Sequence, residues 1–475
     1  MGVSGGDKPK RFRENFSLQL RLPLAQRPGA QRLGAGCRES LRALLSGNLD
    51  FQGKDSAYAS HNLHAFPAKF PPQLPRTFIE ELTDAGDVVL DPMAGSGTTV
   101  VEAFLAGRRG IGFDIDPMAL RLCKAKVTPL PLQDAITAGH QVLQRAQKAL
   151  RDEASLWREL HCRLGEAELK FIDYWFAPST QLELMALVRE IECIPTADMR
   201  RFLELVFSSI IITKSGGVSL ARDLAHTRPH RVEAKVPRSA LEEYRKRLTK
   251  NLRGLAALTT GSGSAEVCDG NAQALPLRDE SVDLIITSPP YAANAIDYMR
   301  AHKFSLVWFG YRLDGLSQLR RQYIGHDAAS GFEPVELPDY AAQIVASLAR
   351  IDVKKATVLR RYYSEMSRTL KEMARVLKPG KAAVVVVGIS TMRGISTKND
   401  VCVGEIGEQV GLDLVGISVR RLDRDKRMMP ARKGHLGQGS QIEERVHKEY
   451  VIGFVKPDLP RAVASLPQTL RTNVR

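Results

Sequence analysis

The six cysteines, at positions 37, 123, 162, 193, 268 and 402, include no C-x-x-C pair. Their scatter argues against a zinc site or a disulfide framework and fits a reducing cytoplasm. No apolar run approaches the roughly 20 residues of a membrane-spanning helix. The N-terminus is basic but has no apolar signal-peptide core, and its Gly, Pro and Asp7 break the pattern of a transit peptide. Three motifs are also missing. There is no G-x-x-x-x-G-K-[ST] loop for a nucleoside triphosphate, no third glycine completing G-x-G-x-x-G for a dinucleotide, and no Pro-Cys dipeptide.

What is present is a chain of 475 residues, 44% hydrophobic and 25% charged, with a formal net charge of +15. The length implies two or three structural units. The charge favours a polyanionic partner, and no membrane partner is expected. Segmented by composition, residues 1–54 read as a basic flexible arm with one short helix around 38–45, and 55–130 as a cofactor-binding half. Residues 131–263 read as a helical insert, 264–456 as a catalytic half with its own insert near 312–340, and 457–475 as a disordered tail.

Two stretches carry the chemistry. The first is the apolar strand Asp87–Leu90 running into Asp91-Pro92-Met93-Ala94-Gly95-Ser96-Gly97-Thr98-Thr99, followed by a helix from Thr98 to about Leu105. A second strand, Gly110–Phe113, ends at Asp114. Glycines between a strand and a helix let the backbone approach a ligand, and an acid ending the next strand suits ribose hydroxyls. Asp91 would sit poorly beside a pyrophosphate and well beside a cation that carries an amino group, such as S-adenosylmethionine. The second stretch is Val282–Thr287, a buried-strand pattern halted at Ser288-Pro289-Pro290-Tyr291. The prolines end the ladder and leave a rigid lip at the strand's carboxyl end, where open α/β sheets bind ligands.

Elsewhere the readings are coarser. His61 and His64 read as polar loop residues, and Phe171, Tyr174, Trp175 and Phe176 chiefly as core. Helical patterns run over 135–150, 181–191, 199–212, 239–255, 295–311, 341–377 and 403–409. Residues 382–387, 412–420 and 449–455 read as strands, and 312–340 as polar loop. From Lys214 to Arg253 there are eleven Lys or Arg against four acids, and a second basic loop follows Arg420. Arg222, Arg228, Arg231, Lys235, Arg238, Arg424 and Arg427 are the candidate phosphate contacts.

Placed in order, Asp91–Thr99, Phe66–Phe70 and Ser288–Tyr291 resemble the DNA amino-methyltransferases over roughly 55–135 and 264–456. Met93 stands where that family usually has Phe. The resemblance implies a Rossmann-like α/β fold: a seven-stranded, mostly parallel sheet with an antiparallel last strand and a large helical insert. It implies that Asp91, Ala94, Gly95, Gly97 and Thr98 line the methionine and sugar of S-adenosylmethionine. It also gives Asp114 the ribose, Asp269 the adenine amine, and Phe66 and Lys69 the methionine side. Ser288, Pro289, Pro290 and Tyr291 would be catalytic, and no metal is expected. The SPPY spelling is typical of cytosine N4 enzymes, DPPY being commoner in adenine N6 enzymes. The absent Pro-Cys disfavours the thiolate route to cytosine C5. The expected partner is double-stranded DNA, in the cytoplasm at the nucleoid. Adenine N6 methylation, an RNA base substrate and an idle DNA-binding subunit stand as alternatives. A restriction endonuclease or defence-system partner, the recognition sequence and the oligomeric state stay open.

Overall fold

The structure, a computed structural model, describes residues 36–67, 69, 71–213, 215–222, 224, 229–258, 261–292, 297–327, 331–422 and 448–458. Its main sheet is built from β1 (Val88–Asp91), β2 (Arg109–Asp114), β5 (Ser264–Asp269), β6 (Val282–Thr287), β7 (Leu377–Gly388), β10 (Asp413–Arg421) and β11 (Lys448–Val455). Two short hairpins lie outside it: β3 (Ala221–Arg222) with β4 (His230–Arg231), and β8 (Thr391–Met392) with β9 (Ile395–Ser396). The sheet order is β10-β11-β7-β6-β1-β2-β5. Four neighbouring pairs are parallel, and β11 runs antiparallel to both β7 and β10. This is the Rossmann-like sheet with a reversed last strand that the motifs imply.

Alternation along the strands divides the core between the two faces of the sheet. Leu90, Ile285, Val385 and Phe454 pack on one side beneath the helices Val353–Val376 and Asn399–Gln409. Val89, Leu284, Ile286 and Val384 face the other side, against Leu74, Phe78 and Ile79 of the helix Gln73–Leu82. Period-two side-chain direction makes both faces of these strands apolar, which is why they read as continuous hydrophobic runs.

Several boundaries differ from the sequence reading. The short helix expected at 38–45 is present as Cys37–Ser46, but it is not part of a free arm: its Leu41 and Leu45 are buried on the sheet beside Val451. The expected single helix over 341–377 is two, Asp339–Ala349 and Val353–Val376. Asp352 accepts a hydrogen bond from Lys355 N and so caps the second helix, a local bond that competes with continuing the first. The polar stretch after 312 contains the helix Leu313–Arg320. In the insert, the helices Leu132–Ala149, Glu153–Arg163, Glu166–Trp175, Pro178–Glu192, Ala197–Ile211 and Ala240–Leu258 share one core with Met118, Leu122, Phe304 and Trp308. The insert is therefore packed on the helices that border the glycine loop. The tail from 459 and the segment 423–447 lie outside the described residues.

Candidate active site

The strand order reverses about β1, which has β2 on one side and β6 on the other. Ligands of open α/β sheets bind at such a switch point, beyond the carboxyl ends of the strands. A cleft opens there, and Asp91, Ala94, Gly95, Thr98, Asp114 and Ser288 are among its walls.

Asp91 ends β1 almost wholly buried, accepting from Thr287 Oγ1 at 2.7 Å and Met93 N at 3.2 Å. Burial raises its carboxyl to about 6, against the pull of those donors. Asp114, at the end of β2, accepts from Gly95 N and Asp116 N at 2.8 Å each. Burial, then the charge of Asp116, raises it to about 7. The second strand's acid thus holds the glycine loop in shape, a link that sequence spacing does not reveal.

The two glycines of the loop differ. Gly95 has φ +50° and lines the cleft, and a Cβ there would meet the Phe66 ring at 3.3 Å. Gly97 has φ +78° and faces away, where a Cβ would lie 2.4 Å from Cys123 Sγ. Its place is therefore at the packing of the loop on the helix Pro117–Val127, and the cleft wall runs through Ser96 and Thr98 instead. Beneath the loop, Lys126 donates to Ser96 O at 2.9 Å. Burial, then the charge of Lys69, holds that buried ammonium well below the usual lysine range.

Phe66 and Lys69 are both at the cleft. Phe66 stacks on Tyr298 with centroids 5.4 Å apart, and Lys69 Nζ donates to His61 O. His61 and His64 are loop residues, as expected, but both are buried. His61 bonds Glu102 on the helix Thr98–Leu105, and His64 bonds Ser208 of the insert. Burial lowers both imidazoles, so they pin this segment as neutral groups. Asp269 ends β5 exposed and lines an adjoining cavity beside Lys124 and Arg200, separated from the main cleft by Ile115. Gly270, Asn271 and Ala272, just after it, reach the main cleft.

At the lip, Ser288 and Pro290 line the cleft and Pro289 is buried. Tyr291 packs its ring against Gly388 and donates its hydroxyl to Glu449 Oε1 at 2.7 Å. The opposite wall was not legible. It comes from residues 297–326, where His302 Nδ1 and Tyr323 OH each bond Asp116 Oδ2 at 2.7 Å. Burial alone would raise the Asp116 carboxyl, but His302, Tyr323 and backbone donors offset it and hold it below the usual range. His302, set among Met299, Phe304 and Leu306 of one helix, was the available signal.

Among the candidate phosphate contacts, Arg222 and Arg238 are exposed, and Arg231 lies 4.9 Å over the Tyr174 ring. Lys235 is not free: its Nζ donates to the carbonyls of Ser215, Ser219 and Ala221. Burial, then Arg238 and Arg222, lowers it to about 8. Arg228, Arg424 and Arg427 lie outside the described residues. Among the described residues no group of three acidic, His or Cys side chains is placed to hold a metal ion, and no helix is long and apolar enough to cross a membrane.

A sheet with a reversed last strand, and a glycine loop after β1 that meets a Pro-Pro lip after β6 at one cleft, give the Rossmann-like α/β architecture. The DNA methylase family matches residues 48–125. The Type II methyltransferase M.MvaI of Kocuria varians is 24% identical over 381 residues, covering 75% of this chain and 83% of that protein. M.AvaI of Anabaena variabilis is 23% identical, covering 74% and 76%. M.BglI of Bacillus subtilis reaches 45% over 101 residues, 21% of this chain and 28% of that one. A TehB-like SAM-dependent methyltransferase from Corynebacterium glutamicum aligns with TM-score 0.26 at 11% identity, over 80% of this chain and 86% of its own. The sheet order, not that overlap, defines the fold. The sequence matches are thus to DNA methylases and Type II methyltransferases, and they support the resemblance to the DNA amino-methyltransferases that the motifs carry.

Proposed function

We propose that this protein methylates the exocyclic N4 amine of cytosine in duplex DNA, by direct transfer to a flipped base. The observation that carries this reading is Ser288 on the same cleft wall as the Asp91–Thr98 loop, where β6 and β1 lie side by side. The cofactor is S-adenosylmethionine, which supplies an electrophilic methyl group on a sulfonium. The cleft residues fit it. Two carboxyls, the buried Asp91 and the half-buried Asp114, offer negative charge and acceptors to a cation with ribose hydroxyls, and Gly95 leaves open the space a side chain would fill. Asp91, Ala94, Gly95 and Thr98 line the methionine and sugar side, with Phe66 and Lys69 closing it. The Asp114 carboxylate takes the ribose. Asp269 reaches the adenine amine only if the ring lies across Ile115 toward the adjoining cavity.

An aromatic amine is a weak nucleophile because its lone pair is delocalised into the ring. Ser288 Oγ makes no hydrogen bond among the described residues, so its lone pairs are available to one amine proton, while the carbonyl of Pro289 accepts the other. Both bonds favour a pyramidal nitrogen aimed at the methyl. Alignment rather than a strong base then sets the rate. Tyr291 stacks on the base, which must leave the duplex because a stacked base lies out of reach of the cleft. Arg222, Arg231 and Arg238, with Arg228, Arg424 and Arg427, hold phosphates.

Purified protein with labelled S-adenosylmethionine and PCR-amplified DNA tests the reading directly. Mass spectrometry of the hydrolysed nucleosides is expected to show N4-methylcytosine. N6-methyladenine would move the assignment to adenine, and label on RNA alone would overturn the DNA substrate.

A further inference from the structure

Behind the lip lies a buried pair that none of the roles above uses. Glu449, on β11, sits opposite Gly388 of β7 and opposite Arg420 of β10 in the strand register. Both charged side chains are buried, at 8% and 3% exposed. Arg420 Nη1 donates to Glu449 Oε2, and its Nε donates to Leu49 O at 3.3 Å. The other carboxylate oxygen, Oε1, accepts the Tyr291 hydroxyl at 2.7 Å. At its other edge the Tyr291 ring lies where a Cβ on Gly388 would come within 2.6 Å of it, so a glycine there is what admits the ring.

We infer that Glu449, held by Arg420, is a positioning residue that sets the plane of the Tyr291 ring for methyl transfer. The inference rests on the reading of Tyr291 as the residue that stacks on the target base. A tyrosine bonded at its hydroxyl and packed along one edge has little rotational freedom about χ2. A base laid against it inherits that orientation. A buried carboxylate without a partner is costly, so the arginine is what holds Glu449 in place. The glycine at 388 and the glutamate at 449 are cross-strand neighbours, so the sheet register itself fixes the two ends of the ring relative to each other.

The alternative is that Arg420–Glu449 only joins β10 to β11 and Tyr291 fills a leftover lone pair. Y291F separates the two, because it keeps the ring and the ion pair and removes one hydrogen bond. Single-turnover transfer on PCR-amplified DNA is expected to slow about tenfold, with cofactor Kd unchanged. E449Q is expected to slow transfer in the wild-type background and to add nothing in the Y291F background, since both act through one bond. Y291F transferring at the wild-type rate, or losses from Y291F and E449Q that multiply, would overturn the positioning role. A wild-type protein inert on DNA would instead sink the methyl-transfer reading itself.

Discussion

The two walls of the cleft are made in different ways. The wall after β1 and β2 is a local construction. Asp91, Gly95 and Asp114 lie within 24 residues, and one backbone bond from Gly95 to Asp114 closes the loop. The facing wall is assembled at long range: Asp116 receives His302 from 186 residues away and Tyr323 from 207. It depends on the insert, whose core includes Phe304 and Trp308 from the helical region that carries His302. A short loop can hold a cofactor's polar groups, whereas shaping the space around it takes packing from the whole chain.

The contrast can be broken most severely at the lip between the walls. Ser288→Ala removes an acceptor from the reacting amine and is expected to lower kcat on the order of 10²-fold, with cofactor Kd measured by calorimetry left within about twofold. Asp91→Asn strikes the local wall and is expected to weaken S-adenosylmethionine binding by roughly tenfold or more, each decade being about 1.4 kcal/mol. His302→Gln, on the long-range wall, is expected to lower the melting temperature as well as the affinity, because it breaks a bond that joins distant segments. Equal thermal effects from the two variants would erase the distinction drawn here.

A smaller effect follows from pH. Asp91 and Asp114 titrate near 6 and 7 in the free protein, and a cationic ligand prefers both ionised. Cofactor affinity is therefore expected to rise, by about tenfold per unit of pKa displaced, as pH increases through that window, and to level off above it. The linkage in the free protein has the opposite sign. Carboxyls raised above their unfolded value of 3.8 contribute stability that is complete below that value and lost as pH climbs through 6 to 7. Calorimetry across that range, with and without Asp91→Asn, checks both signs. The smallest effect is expected on the basic face. Arg231→Ala should weaken DNA binding a fewfold and reduce its salt slope by about one phosphate. Lys235→Met should leave the salt slope alone and lower the melting temperature, because that ammonium serves three backbone carbonyls.

Legibility followed the same division. The glycine loop, the Pro-Pro lip, the strand runs and most helices of the insert could be read because each is a local pattern of period or turn chemistry. Gly97 was read as a cofactor residue, but its positive φ and contact with Cys123 give it a packing role that spacing alone does not separate from that of Gly95. Lys235 looked like the other cations of its segment until burial against three carbonyls set it apart. His61 and His64 looked like surface groups because nothing local announces that Glu102 and Ser208 will meet them.

The amino-acid sequence by itself determined the fold class, the glycine loop and the lip, since backbone restriction by Gly and Pro and the alternation of apolar residues act over a few positions. Only the tertiary structure decided which residues of those motifs face the cleft, that Asp116, His302 and Tyr323 complete it, and that Glu449 and Arg420 stand behind Tyr291. Those outcomes hang on pairing register and on packing across more than a hundred residues. There, burial of a charge or a ring is stable only where a distant partner arrives to receive it.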